Sequence, residues 1–138
     1  MREKINYRMN LEKIFKQLIL LDLAIFVLIF LSVFFEPEEV TYFYNQLPEG
    51  FLYTNLGAII ALIFSVAYLV NLYLLYKFIS FGKPMYVVLL LLGIPIIFLS
   101  GIDIVSPVQS VLDGIGGMTS GAILVFLFFS PIKDKFKT

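Results

Sequence analysis

The chain of 138 residues contains no cysteine and no histidine. Without cysteine it can form neither disulfides nor thiolate sites, and without histidine it lacks the commonest metal ligand and general base. Charged residues are also scarce, at 14% of the sequence. These absences make a catalytic or metal centre difficult to build, so we expect no enzyme activity, no cofactor and no bound metal.

Apolar residues dominate what is present. They make up 60% of the sequence, well above the usual share in a soluble domain, and four apolar stretches are long enough to cross a hydrocarbon core about 30 Å thick. These stretches do not alternate as the strands of a membrane barrel do, and backbone in lipid needs internal hydrogen bonds. The sequence therefore predicts an all-α integral membrane four-helix bundle, one domain over residues 1–138 with spans at 18–35, 56–76, 85–102 and 114–130.

Basic residues flank the predicted spans on one side only. They precede the first span, lie between the second and third, and follow the fourth, whereas acidic residues occupy the other two connections: Glu36, Glu38, Glu39 and Glu49 in one, with Asp103 and Asp113 bounding the other. Because basic loops stay in the cytoplasm, we expect both termini to be cytoplasmic. The excess of lysine over arginine and the abundance of isoleucine and phenylalanine are typical of a bacterial plasma membrane.

Two flanking segments have amphipathic patterns. Before the first span, Tyr7, Leu11, Ile14 and Leu18 recur at helical spacing, which fits either a helix lying on the inner leaflet or a straight extension of the span. After Pro37, which suits the first turn of a helix, a set of apolar residues shares one helical face: Val40, Phe43, Tyr44 and Leu47. The pattern predicts short interfacial helices beside the bundle.

One carboxylate interrupts the first span, in QLILLDLAIFVLIF. Asp22 lies six residues beyond Lys16, about 9 Å at the helical rise, and Asn71 lies equally far from Lys77 on the second span. A buried charge in a membrane helix favours a hydrogen-bond partner on a neighbouring helix, so we expect Asp22 and Asn71 to form an intramembrane polar pair. Tyr68, Tyr73 and Tyr76 on the same helix compete as partners. The pair predicts either an interhelical clasp or a site for a proton or cation.

Small residues form stripes on two predicted helices. Ser110, Gly114, Gly117 and Gly121 share one face of the fourth span, and Gly117 with Gly121 forms the GxxxG spacing that allows helix backbones to approach closely in lipid. The second span carries Gly57, Ala61 and Ser65 at intervals of four. The two stripes lie at the same predicted depth and could pack on each other inside one bundle, or the glycine face could make a homo-oligomer.

A proline interrupts the third span in LLGIPIIFLSG. Pro95 removes a backbone donor and clashes with the carbonyl four residues earlier, so we expect a kink around residues 91–95. Broken membrane helices can mark transport sites, but proline is also common in ordinary membrane helices.

These features favour a small polytopic membrane protein of non-enzymatic role. We expect it to act through helix packing and partner contact, as an accessory, immunity or sensor subunit, with the lipid bilayer and a homo-oligomer or another membrane protein as its partners and with no nucleic acid. The alternative is an oligomeric transporter or channel that uses Asp22 for proton or cation coupling.

Overall fold

The computed structural model describes residues 2–47, 50–101 and 104–136. These parts of the chain are helical and contain no strand. The α-helices are α1 (Arg2–Ser32), α2 (Glu38–Tyr44), α3 (Asn55–Tyr76), α4 (Gly82–Ser100) and α5 (Pro107–Phe129), and short 3₁₀ helices cover Val33–Phe35, Phe51–Tyr53 and Pro131–Phe136.

Four of these helices are long and apolar enough to cross a membrane, namely α3, α4, α5 and the part of α1 from Met9 to Ser32. The prediction of four helices long and apolar enough to span a membrane is therefore confirmed. The fourth begins seven residues earlier than expected, at Pro107 instead of Gly114. The polar residues Gln109, Ser110 and Asp113 concealed that start, although Ser106 caps it by accepting a hydrogen bond from the Gln109 N–H at 3.3 Å.

The N-terminal segment belongs to the first long helix. α1 runs without a break from Arg2 to Ser32, which is the straight extension, one of the two predicted arrangements. The second flanking helix forms as α2, where the Pro37 carbonyl accepts hydrogen bonds from the Val40 and Thr41 N–H groups. Whether either segment lies at a membrane interface stays a prediction.

The helices associate as two pairs. α5 packs along α1, α3 packs along α4, and the pairs meet where α1 contacts α3. The predicted contact between the small-residue stripes of the second and fourth spans needs α3 against α5, and the structure does not use that pairing as a main interface.

A tightly packed core lies at one end of the bundle. Its fully buried side chains come from the first half of α1, the last turns of α3 and α5 and the start of α4: Phe15, Leu75, Tyr86, Ile123 and Leu127. Ile132 and Phe136, from the 3₁₀ helix after α5, are buried against the same cluster. The C-terminal segment therefore closes this end.

The turn between α3 and α4 supplies an aromatic ring to the same core. Phe78 has a φ of 56°, a left-handed conformation that costs a non-glycine residue on the order of 1–3 kcal/mol. Its ring lies 5.7 Å from that of Phe15 and 5.4 Å from that of Phe136, measured between centroids. Packing of this ring explains why a bulky residue holds a backbone conformation that favours glycine.

Lysines surround this closed end, which we call the basic end. Glu12 pairs with Lys16 at 3.4 Å and also with Lys135. The ammonium groups of Lys16 and Lys135 lie 5.3 and 5.5 Å from the centre of the Phe78 ring, within cation–π range. The ion pairs and the aromatic cluster together join α1 to the C-terminal segment.

The other half of the bundle, which we call the open half, is loosely packed. Large apolar side chains on all four long helices are exposed there, among them Phe30, Ile63, Phe98 and Val111. A groove of about 540 Å³ separates α1 from α3, and a second of about 650 Å³ lies beside the C-terminal end of α1 and the start of α5. The cluster of buried apolar side chains thus lies at the basic end, and both grooves lie in the open half.

Candidate functional site

Each of the four long helices contributes one polar side chain to a single buried group. We call this group the Asp22 cluster: Asp22 from α1, Tyr68 from α3, Tyr86 from α4 and Ser120 from α5. It lies where the packed core of the basic end gives way to the open half.

The Asp22 carboxylate is the centre of the cluster. It is 3% exposed. The Tyr68 hydroxyl donates a hydrogen bond to its Oδ2, and the Ser120 hydroxyl donates to its Oδ1 at 3.3 Å. Hydrogen bonds to a charged acceptor are stronger than neutral ones, so these two contacts tie α1 to both α3 and α5.

Tyr86 completes the cluster from α4. It is 0% exposed, and its ring stacks on that of Tyr68 with 6.4 Å between centroids. Its hydroxyl lies close to Ser120, Asp22 and Tyr68 but makes no well-aligned hydrogen bond within the described part of the chain. A buried hydroxyl without a well-aligned hydrogen bond costs free energy, so this hydroxyl contributes little to the stability of the cluster.

A cavity of about 170 Å³ opens beside these groups. Asp22, Tyr68 and Ser120 form its polar side, and apolar side chains form the rest: Ile25, Phe26, Ile29 and Phe64. Gly116 also lines it, at a point where an added Cβ would lie 3.4 Å from the Ile25 side chain. One carboxylate therefore faces a small cavity that is otherwise largely apolar.

Asn71, the predicted partner of Asp22, is bonded elsewhere. Its side-chain amide donates to the Gly82 carbonyl at 2.8 Å, which fastens α3 to the start of α4. Its Oδ1 is buried and has no partner among the described residues. Asp22 and Asn71 are both buried, as predicted for polar groups in these helices, but the structure forms no hydrogen bond between them.

Gly57 and its stripe on α3 do not face the glycines of α5. A Cβ on Gly57 would lie 2.1 Å from the Phe51 carbonyl oxygen, because the loop before α3 folds back onto the helix there. Ala61 and Ser65 line the groove between α3 and α1. The α3 stripe therefore packs against the preceding loop and borders α1.

The glycine stripe of α5 has no neighbour within the described chain. A Cβ added at Gly114, Gly117 or Gly121 would meet nothing within 4 Å, and Ser110 on the same face is exposed. The structure does not bring these residues into a contact inside the bundle. The face remains available for a contact outside it.

Pro95 lies within α4, which continues to Ser100. The side chain is exposed and does not belong to the Asp22 cluster. The kink predicted around it stays a prediction.

Sequence reasoning missed Tyr86 and Ser120. Both were visible as polar residues inside apolar spans, but neither has a charge or a motif to distinguish it. The sequence offers Tyr68 as one of several partners for Asp22. The sequence does show that every long helix carries a polar residue within its apolar span. Which of these polar residues contact one another depends on how each helix is rotated about its axis.

Among the described residues, no group of three or more His, Cys, Asp or Glu side chains could hold a metal ion. The cluster instead offers one carboxylate and three hydroxyls, which suit hydrogen bonding, proton exchange or charge pairing with a cation. No known protein family, curated protein or solved structure matches this chain.

Proposed function

We propose that this chain is a non-enzymatic membrane protein that acts by contact with another membrane-embedded helix. The observation that carries the proposal is the uncovered glycine face of α5, formed by Gly114, Gly117 and Gly121. Small residues at this spacing let helix backbones approach closely, and in lipid close packing replaces the hydrophobic drive for association. A face of this kind with no neighbour in its own chain fits a partner from outside it.

The uneven packing of the bundle supports the same proposal. The basic end is closed by its own core and by the C-terminal segment, whereas the open half keeps grooves on two sides. A bundle stabilised at one end can keep its fold while it presents helix surfaces at the other.

We further propose that the basic end faces the cytoplasm and the acidic connections face outward across a bacterial plasma membrane. The one-sided lysines support this orientation. The partner is then a second copy of this chain or another integral membrane protein, and the role is that of an accessory, immunity or sensor subunit.

Substitutions on the glycine face test the proposal. Gly117→Leu and Gly121→Leu should abolish the complex while the isolated chain keeps its thermal stability, because no intrachain neighbour contacts these positions. Complex size is measured by light scattering and crosslinking after mild detergent extraction from native membranes. Met118→Leu, on the same helix at an exposed position, is the control.

Persistence of the full complex in both leucine variants would contradict the proposal. Co-purification from native membranes then identifies the partner, because a second protein in fixed ratio and a homo-oligomer give different compositions on the same gel.

The Asp22 cluster favours a second candidate, an oligomeric transporter or channel coupled to a proton or cation. A carboxylate on α1 that is hydrogen-bonded to α3 and α5 would link its charge state to the arrangement of these three helices. Asp22→Asn removes the charge and keeps the size. Loss of proton flux into liposomes in this variant would favour transport, whereas unchanged complex formation with no flux in the wild type would favour contact.

A further inference from the structure

The Asp22 carboxylate has no positive partner among the side chains that the structure describes. Its contacts are the hydroxyls of Tyr68 and Ser120. The lysines nearest the core are engaged at the basic end: Lys16 and Lys135 with Glu12, and Lys83 over the Phe128 ring at 4.3 Å. An ion buried in apolar surroundings without a counter-charge is costly, so the site favours an added positive charge.

Acceptor positions around the carboxylate are also unfilled. An ionised carboxylate can accept about four hydrogen bonds, and the structure supplies two. The Tyr68 and Ser120 hydroxyls line the same cavity, and their oxygens can accept hydrogen bonds while they donate to Asp22. A ligand that donates several hydrogen bonds from one charged atom would satisfy these groups.

The remaining walls of the cavity are apolar and aromatic. Ile25 and Ile29 on α1 face Phe64 on α3, and the Phe26 ring lies 5.6 Å from the Tyr68 ring between centroids. Aromatic faces attract organic cations, and the hydrocarbon walls suit an alkyl chain. A bare metal ion would instead require about six oxygen ligands, more than this cavity offers.

The size of the cavity limits the ligand. It measures about 170 Å³, and an apolar protein cavity of about 150 Å³ holds one benzene molecule. A ligand of roughly six non-hydrogen atoms therefore fits.

We propose that the Asp22 cavity binds a small primary alkylammonium ion. The ammonium group donates hydrogen bonds to the Asp22 carboxylate and to the Tyr68 and Ser120 hydroxyl oxygens, and the alkyl chain lies between Ile29, Phe26 and Phe64. This binding does not depend on the contact function of the α5 glycine face, so either proposal can fail alone.

Equilibrium dialysis of the full-length protein in detergent with radiolabelled n-butylammonium, at constant ionic strength, tests the proposal. We expect saturable binding at one site per chain and at least a tenfold loss of affinity in Asp22→Asn. Asp134→Asn makes the same change at the basic end and should bind as the wild type does. Ile29→Phe fills the apolar side of the cavity and should also abolish binding, which tests the site independently of any effect of Asp22→Asn on folding.

Three outcomes would overturn the proposal. The first is an absence of saturable binding to the wild type. The second is equal competition by butan-1-ol, which would show a merely apolar pocket, or by sodium ions at matched concentration, which would show a metal site. The third is unchanged affinity in both Asp22→Asn and Ile29→Phe.

Discussion

Asp22 is held by hydroxyl groups from two other helices. Tyr68 and Ser120 each donate to one of its oxygens, so a single side chain joins α1 to α3 and α5. Interhelical hydrogen bonds in membrane proteins contribute about 0.6 kcal/mol on average, with a maximum of about 1.7 kcal/mol. Asp22 thus links three helices through hydrogen bonds of modest strength, and its carboxylate can still accept further hydrogen bonds.

A double-mutant cycle measures this clasp. Asp22→Leu and Tyr68→Phe should be non-additive, with a coupling energy on the order of 0.6 kcal/mol or more, because both remove the same hydrogen bond. Asp22→Leu with Asn71→Leu should show coupling near zero, since Asn71 bonds to the Gly82 carbonyl. Reversible unfolding in detergent micelles gives the energies. Equal coupling for the two pairs would contradict the arrangement.

Glycines on the long helices have two different roles. Gly57 allows the loop at Phe51 to approach the start of α3, because any Cβ there would overlap the Phe51 carbonyl oxygen and the Leu52 Cα, 2.1 and 2.5 Å away. A Cβ added at Gly114 would have no neighbouring atom within 4 Å. Their spacing in the sequence predicted the same kind of helix contact for both residues. The structure shows that Gly57 is covered by a loop, whereas Gly114 has no close neighbour.

Alanine should therefore lower the stability of the protein at Gly57 but not at Gly114. Gly57→Ala should lower the free energy of unfolding by about 1–3 kcal/mol, since backbone atoms must move to accommodate the methyl group. Gly114→Ala should be neutral or stabilise the isolated chain by up to about 1 kcal/mol, because alanine has the higher helix propensity. Thermal unfolding in detergent compares the two variants with the wild type. Equal destabilisation at both sites would show that Gly114 is also packed.

The whole molecule is closed at one end and open at the other. At the basic end, Phe15, Phe78 and Phe136 bring α1, the turn after α3 and the C-terminal segment into one aromatic cluster. In the open half, exposed apolar side chains and two grooves remain. Stability should therefore depend mainly on the basic end.

Removing one ring from each region tests this division. Phe136, at the basic end, is 5% exposed, and Phe98, in the open half, is 81% exposed. Phe136→Ala should cost on the order of 3 kcal/mol, as expected for deletion of a buried phenylalanine, whereas Phe98→Ala should cost much less because it leaves no cavity. Chemical unfolding in micelles measures the difference. Similar losses would show that the C-terminal segment does not contribute to the core.

Orientation in the membrane is also a property of the whole molecule, and single cysteines can report it because the natural chain has none. In intact cells, a cysteine at Glu38 or Ser110 should react with a membrane-impermeant thiol reagent, and one at Lys135 should react only after permeabilisation. We expect this pattern because the basic residues flank the spans on one side only, and basic loops stay on the cytoplasmic side. The opposite pattern would reverse the proposed topology.

Composition and hydrophobic length were enough to predict four long apolar helices. These properties add up residue by residue along the chain and do not depend on how the helices are rotated. The boundary of α5 was missed because polar residues occupy its first turns, where the Ser106 cap decides the start. Of the six carboxylates from which an acidic outer side was predicted, Glu49 and Asp103 lie outside the described part of the chain.

Partner choice inside the bundle was decided by the tertiary structure. Tyr68 and Asn71 are three residues apart, so they point about 60° apart around α3, at about 100° per residue; one meets Asp22 and the other meets Gly82. Depth along a helix can be counted from the sequence, but rotation about its axis is set by all the packed side chains at once. For the same reason only the folded chain shows that Gly57 is covered, while Gly114, Gly117 and Gly121 meet no neighbour among the described residues.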